Sequence, residues 1–113
     1  MSLLSFLSLP YANWVRKKNK KWIDRPVKHQ EKLLHELLNS AKNTRFGKDH
    51  SFEKITTYDD FKNSVPIRDY EALKPYINRV LKGEKNILWK GKPLYFTKTS
   101  GTTSGTKYIP ISN

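Results

Sequence analysis

YFTKTSGTTSGTKYIPIS, residues 95–112, is a pair of β-prone runs joined by a loop of small hydroxylated residues and glycine. The first run is aromatic (Leu94 to Thr97). The loop is Thr99-Ser100-Gly101-Thr102-Thr103-Ser104-Gly105-Thr106, and Lys107 leads into the second run, Tyr108-Ile109-Pro110-Ile111. Such a pattern reads as a hairpin. Glycine reaches backbone conformations in which successive N–H groups converge on one anion. Hydroxyls add donors, and Lys107 adds a positive charge. These are the properties a polyphosphate requires, although a plain surface hairpin shares the composition.

Working outward, Ile87-Leu88-Trp89 reads as a strand, turned at Lys90-Gly91-Lys92-Pro93 into Leu94–Phe96. Before it, Asp69 opens a helical stretch containing Tyr70, Leu73, Tyr76, Ile77, Val80 and Leu81. Pro75 is expected to kink that stretch or start a second segment, and Gly83 to stop it. Val65-Pro66-Ile67 reads as extended. Thr57 followed by Asp60 is a capping box with Asp in place of the usual Glu, opening a short helix through Phe61. Thr44 to Phe52 reads as a loop anchored by two aromatics.

Further upstream, Val27, Gln30, Leu33, Leu34, Leu37, Leu38 and Ala41 recur with helical spacing between Pro26 and Lys42, with Asp24 as N-cap. His35-Glu36-Leu37-Leu38-Asn39 starts like a zinc-protease helix, but Asn39 stands where the second imidazole belongs. His29, His35 and His50 show no other ligand spacing, so no metal site is expected. Residues 1–22 form an apolar segment (Leu3, Leu4, Phe6, Leu7, Leu9, then Trp14) with a basic cluster, Arg16-Lys17-Lys18-Asn19-Lys20-Lys21. The charges follow the apolar run, the reverse of a secretory signal, and the run is far short of the ~20 residues of a spanning helix. It reads as a helix packing its stripe on the body of the protein. Weak contact of residues 3–21 with an anionic membrane surface is the other reading.

The chain has 113 residues and a mean hydropathy of −0.75, yet it holds 3 Trp, 6 Tyr and 5 Phe. It has no cysteine, which excludes disulfides, thiolate metal sites and thiol catalysis and fits a cytoplasmic setting. The net charge of +12 is partly local: without the cluster, 17 basic residues face 10 acidic ones. A small basic module binding nucleic acid or anionic membrane through Arg16–Lys21 is therefore the alternative function, and specific nucleic-acid binding is not expected.

Spacing separates the phosphate loops. A Walker A loop places four residues between its glycines and Lys after the second, whereas here three separate Gly101 from Gly105 and Thr106 follows. The dinucleotide pattern is also absent. Thr99-Ser100-Gly101-Thr102-Thr103-Ser104-Gly105-Thr106-Lys107 matches instead the Ser/Thr-Ser-Gly-Thr-Thr-x-x-x-Lys loop of adenylate-forming enzymes. Thr44-Arg45-Phe46-Gly47-Lys48, Phe61, Val65-Pro66-Ile67, Tyr70-Glu71, Pro75-Tyr76-Ile77, Arg79, Gly83-Glu84 and Ile87-Leu88-Trp89 precede it in order, and Lys107-Tyr108-Ile109-Pro110 closes it. With these residues the chain, from about Gln30 to Ser112, resembles the N-terminal part of the auxin-responsive acyl-acid amido synthetases, particularly their bacterial relatives.

The resemblance implies a mixed α/β fold, helices first and strands after. It makes residues 23–113 the N-terminal part of an adenylate-forming large domain, ending after the phosphate loop. It implies an enzyme that adenylates a small carboxylic acid with ATP and Mg²⁺ and passes the acyl group to an amine or amino acid. Thr99, Ser100, Gly101, Thr102, Thr103 and Lys107 would hold the phosphates, with no catalytic residue assigned. Two departures stand out: Thr99 replaces the usual Ser, and Ser104–Thr106 is shorter than in many relatives, which leaves the register of Lys107 less fixed. The remaining parts of such a site lie beyond Asn113, so the expectation is a fragment with negligible synthetase activity by itself.

Overall fold

The computed structural model describes residues 3–101 and 105–112. The chain divides into two compact units, Met1–Leu33 and Leu34–Asn113.

In the first unit, helix α1 spans Leu3–Ile23 and continues through Pro10, which has no N–H for the carbonyl one turn back. Phe6, Leu9, Tyr11, Trp14 and Trp22 are exposed. Trp14 lies 6.1 Å from the Tyr11 ring, and Lys18 Nζ lies 5.2 Å from the Trp14 ring. Helix α2 (Pro26–Ala41) starts at its proline. Asp24 is not its N-cap: its amide still donates to the Lys20 carbonyl at 2.9 Å, which ties it to the end of α1.

The second unit is organised around the last turns of α2. Leu34, Leu38 and Ala41 recur at i, i+4 and i+7, and Leu38 and Ala41 form a buried cluster with Phe52 and Ile55. Phe46, Phe61, Val65 and Trp89 pack against that cluster. Fully burying an aliphatic or aromatic side chain of this kind contributes about 1.5–3 kcal/mol.

Thr44 to Phe52 is not a loop. Helix α3 (Arg45–Asp49) and a 3-10 turn (Phe52–Lys54) occupy it. The Thr44 hydroxyl caps α3 by accepting the Gly47 amide at 3.0 Å, and it donates to the Ala41 carbonyl at 2.7 Å. Two more amides of the first turn, of Arg45 and Phe46, donate to the carbonyls of Asn86 and Ile87 at 2.8 and 3.0 Å. Ile87-Leu88-Trp89 is not a strand: the Ile87 carbonyl and that of Asn86 before it serve a helix terminus, and the chain bends there. Asn86 closes the bend instead, donating its amide to the Gly91 carbonyl at 2.9 Å and accepting the Gly91 amide on its side chain at 2.7 Å. Ile87 is buried in the resulting turn.

The capping box of α4 (Tyr58–Ser64) is present in both directions between Thr57 and Asp60. Helix α5 (Tyr70–Leu81) begins at the Asp69 cap, whose carboxylate accepts the Ala72 amide at 2.9 Å. It runs through Pro75 as one helix, not two segments. It ends as read, at Gly83, where φ is +86°. The Gly83 amide reaches the Val80 carbonyl and the Glu84 amide the Arg79 carbonyl, at 2.9 and 3.1 Å, the double closure of a Schellman motif.

Strands β1 (Tyr95–Thr99) and β2 (Lys107–Ile111) pair antiparallel, with Thr99 opposite Lys107, Thr97 opposite Ile109 and Phe96 opposite Pro110. The architecture is thus mixed, helices followed by strands. The Tyr108 amide bonds outside the hairpin, to Tyr70, so alternation aims position 110 outward as well. Pro110 therefore costs the ladder no hydrogen bond.

Candidate functional site

The hairpin places Thr99 at the end of β1 and Lys107 at the start of β2, directly across from each other. Paired residues share a face of the sheet, so a hydroxyl and an ammonium flank the neck of the loop. Both are half-buried, while Ser100 and Gly101 are exposed. The Gly101 amide donates to the Thr99 carbonyl at 3.1 Å, bending the chain as it leaves the strand. A Cβ on Gly101 would overlap the carbonyl oxygen of Gly105. The neck closes backbone against backbone, and glycine at position 101 is what permits it.

The hairpin is positively charged by sequence: residues 95–112 contain Lys98 and Lys107 and no carboxylate. None of the ion pairs among the described residues uses Lys107. Its Nζ sits instead 5.7 Å from the centre of the Tyr70 ring. Among the six residues expected from the sequence, Thr99, Ser100, Gly101 and Lys107 are brought together at the loop neck. Thr102 and Thr103 lie outside the described residues.

Sequence reasoning placed Tyr70 on a helix and, with Glu71, in the series that carries the resemblance, but gave it no role at the loop; the structure gives its hydroxyl a partner in β2. That hydroxyl accepts the Tyr108 amide at 2.9 Å and donates to the Tyr108 carbonyl at 3.4 Å. The available signal was chemical: a half-buried tyrosine needs a partner for its O–H.

The groups with shifted protonation lie in the helical framework, not in the loop. Tyr76 donates to Asp49 at 2.8 Å, and this bond, followed by that from Arg45, holds the Asp49 carboxyl below its ordinary value. Burial and then Asp49 push the Tyr76 phenol up. The Tyr76 ring also meets Phe46 edge-on at 5.2 Å. Arg79 and Glu84 pair at 2.7 Å across the end of α5. This network ties α3 to α5 and braces the turn after it. His50 is structural too, donating Nδ1–H to the Phe46 carbonyl at 2.7 Å. Beside the hairpin lies an apolar cleft of ≈ 370 Å³, lined among others by Val80, Ile87, Trp89, Pro93, Ile109 and Pro110. Among the described residues no cluster of His, Cys, Asp and Glu could hold a metal ion. No helix among them is long and apolar enough to cross a membrane.

Residues 15–113 match the N-terminal domain of the GH3 family. The chain belongs to the GH3 family. Similar curated proteins include the indole-3-acetic acid-amido synthetases GH3.5 and GH3.2 of Arabidopsis thaliana. They are 32% and 34% identical over 81 and 85 residues, or 71% and 74% of this chain. The jasmonoyl–L-amino acid synthetase JAR4 of Nicotiana attenuata is 32% identical over 87 residues, 75% of this chain. The GH3 chain spans only 13%, 16% and 15% of the respective lengths of these relatives. The family match starts at Val15, so the apolar part of α1 lies ahead of it.

Proposed function

We propose that this GH3 chain supplies the nucleotide-phosphate grip of an ATP-dependent acyl-acid amido synthetase. The observation that carries the reading is the hairpin neck: Thr99 and Lys107 face each other across it, with Ser100 and Gly101 exposed between them. The names of the family relatives, which join acids to amino acids, support the same class of chemistry.

The reaction follows from charge. A carboxylate oxygen attacks the α-phosphorus of ATP, the bond to the bridging oxygen breaks, and pyrophosphate leaves. An amine nitrogen then attacks the acyl carbon, AMP departs and the nitrogen gives up its proton. In the first step an anion approaches an anion, so the protein must offset the repulsion and stabilise the leaving group. Lys107 brings a full positive charge, and Ser100 and Thr99 bring hydroxyl donors. Mg²⁺ would arrive with the nucleotide as MgATP, and the hairpin itself holds no carboxylate to ligate it. Thr102 and Thr103 are proposed as further donors on the sequence pattern alone.

In the full-length enzyme, Ser100→Ala and Lys107→Met should each slow ATP–pyrophosphate exchange by on the order of a hundredfold, the usual loss for one such donor. Unchanged exchange in both variants would remove the phosphate role.

A second, separate activity is favoured by the exposed face of α1. Trp14 and Trp22 are exposed on a helix with five basic residues and no acidic one. Such a segment suits weak attachment to anionic lipid. Salt-sensitive sedimentation with phosphatidylserine vesicles, lost in Trp14→Ala, is the expected result. Sedimentation that persists with neutral lipid would contradict it, and salt-sensitive binding to DNA alone would point to nucleic acid instead.

A further inference from the structure

Tyr70 is the first residue of α5, and the Asp69 cap fixes the turn that carries it. Its hydroxyl reaches β2, 38 residues further along the chain, and satisfies both outward-facing backbone groups of Tyr108. A phenol can accept and donate at once, so this one atom closes the outer edge of β2 next to Lys107. The Tyr70 ring meanwhile lies 5.7 Å from Lys107 Nζ, within reach of a cation–π contact. One side chain thus holds the backbone after the lysine and the ammonium at its tip.

We infer that Tyr70 is the positioning residue for Lys107, presenting its ammonium to the polyphosphate of the nucleotide. This rests on the phosphate-grip reading above and goes beyond it, because no residue outside the loop is otherwise assigned to that site. A lysine has a long, flexible stem, and an unrestrained one would lose much of that freedom on binding phosphate. The ring and the hydrogen-bonded strand restrict it beforehand. Tyr70 touches neither nucleotide nor acid in this account and acts only through Lys107.

The test is a double-mutant cycle on MgATP affinity in the full-length protein, measured by titration calorimetry. Lys107→Met should weaken MgATP roughly tenfold or more. Tyr70→Leu should weaken it roughly two- to fivefold, the worth of an exposed cation–π contact. The double variant should bind no more weakly than Lys107→Met alone, since Tyr70 has nothing left to position. Tyr70→Phe keeps the ring and loses both hydrogen bonds, so it reads the strand's share alone: it should weaken MgATP less than Tyr70→Leu, and again add nothing to the loss of Lys107→Met. A merely structural tyrosine would lower the melting temperature and add its loss to that of Lys107→Met. Additive losses, or wild-type affinity in both Tyr70 variants, would overturn the positioning role while a weakened Lys107→Met left the phosphate grip standing. Wild-type affinity in Lys107→Met would remove both.

Discussion

The Gly47 amide donates to the Thr44 hydroxyl oxygen at 3.0 Å, in a site where Thr44 is only 1% exposed. The cap that starts α3 is therefore sealed inside the second unit, and water cannot replace it. Thr44→Val keeps the shape and removes the hydroxyl, stranding the Gly47 amide. The expected loss is about 1–2 kcal/mol in urea unfolding, and Thr44→Ser should recover most of it. Equal stability of the valine variant would mean that α3 finds another cap.

Asp60 gives the second prediction. Its carboxylate accepts the Thr56 amide at 3.1 Å, the Thr56 hydroxyl at 2.9 Å and the Thr57 amide at 2.9 Å. These bonds, the Thr56 amide foremost, hold its pKa at about 2 against an ordinary 3.8. Between those values the unfolded chain binds the proton and the folded one does not. The contribution is present above the ordinary value and is lost as pH falls through the folded one. Urea midpoints followed down through that window should fall less steeply in Asp60→Asn than in the parent. Parallel slopes would show that other carboxylates carry the acid response.

Local signals were legible where one residue decides the outcome. The Thr57–Asp60 box, the Asp69 start and the Gly83 stop of α5 all appear as read, because caps act within a few residues. The pairing of the last two β-prone runs as a hairpin was legible for the same reason. Two of the errors arise at longer range and one from shortness. Ile87-Leu88-Trp89 has strand composition, but its turn serves the N-terminus of α3, more than forty positions earlier, and no local pattern announces that pairing. Thr44–Phe52 was read as a loop because its helix is a single turn and a half, too short to show a period. Tyr70 was missed as part of the site because its partner, Tyr108, is brought near only by the packing of α5 on β2.

Gly83 supplies a third prediction. It ends α5 at φ +86° and lets Glu84 turn back to the Arg79 carbonyl, with the Arg79–Glu84 ion pair lying over the same turn. Space is not limiting, since a Cβ there would meet only the end of the flexible Lys92 side chain, at 3.4 Å. Conformation is limiting, so Gly83→Ala should cost about 1 kcal/mol and Gly83→Asn less. Denaturant unfolding of the pair separates the two effects: equal losses for alanine and asparagine would point to crowding and not to backbone geometry.

Gly101 tests the link between loop shape and chemistry. Its Cα faces the Gly105 carbonyl so closely that an added methyl group cannot be accommodated without opening the neck. The position is exposed and lies outside the buried cluster, so Gly101→Ala should leave the melting temperature close to that of the parent. Opening the neck moves the Ser100 hydroxyl and the adjoining amides relative to Lys107. A displacement of about 1 Å among groups that must act together on one phosphate can cost on the order of a hundredfold in rate. ATP–pyrophosphate exchange by the full-length enzyme should accordingly fall steeply in Gly101→Ala while stability is retained. Exchange at the parent rate would show that the closed neck is not the form that grips the nucleotide. A loss of rate accompanied by an equal loss of folded protein would assign Gly101 to the fold and not to the site.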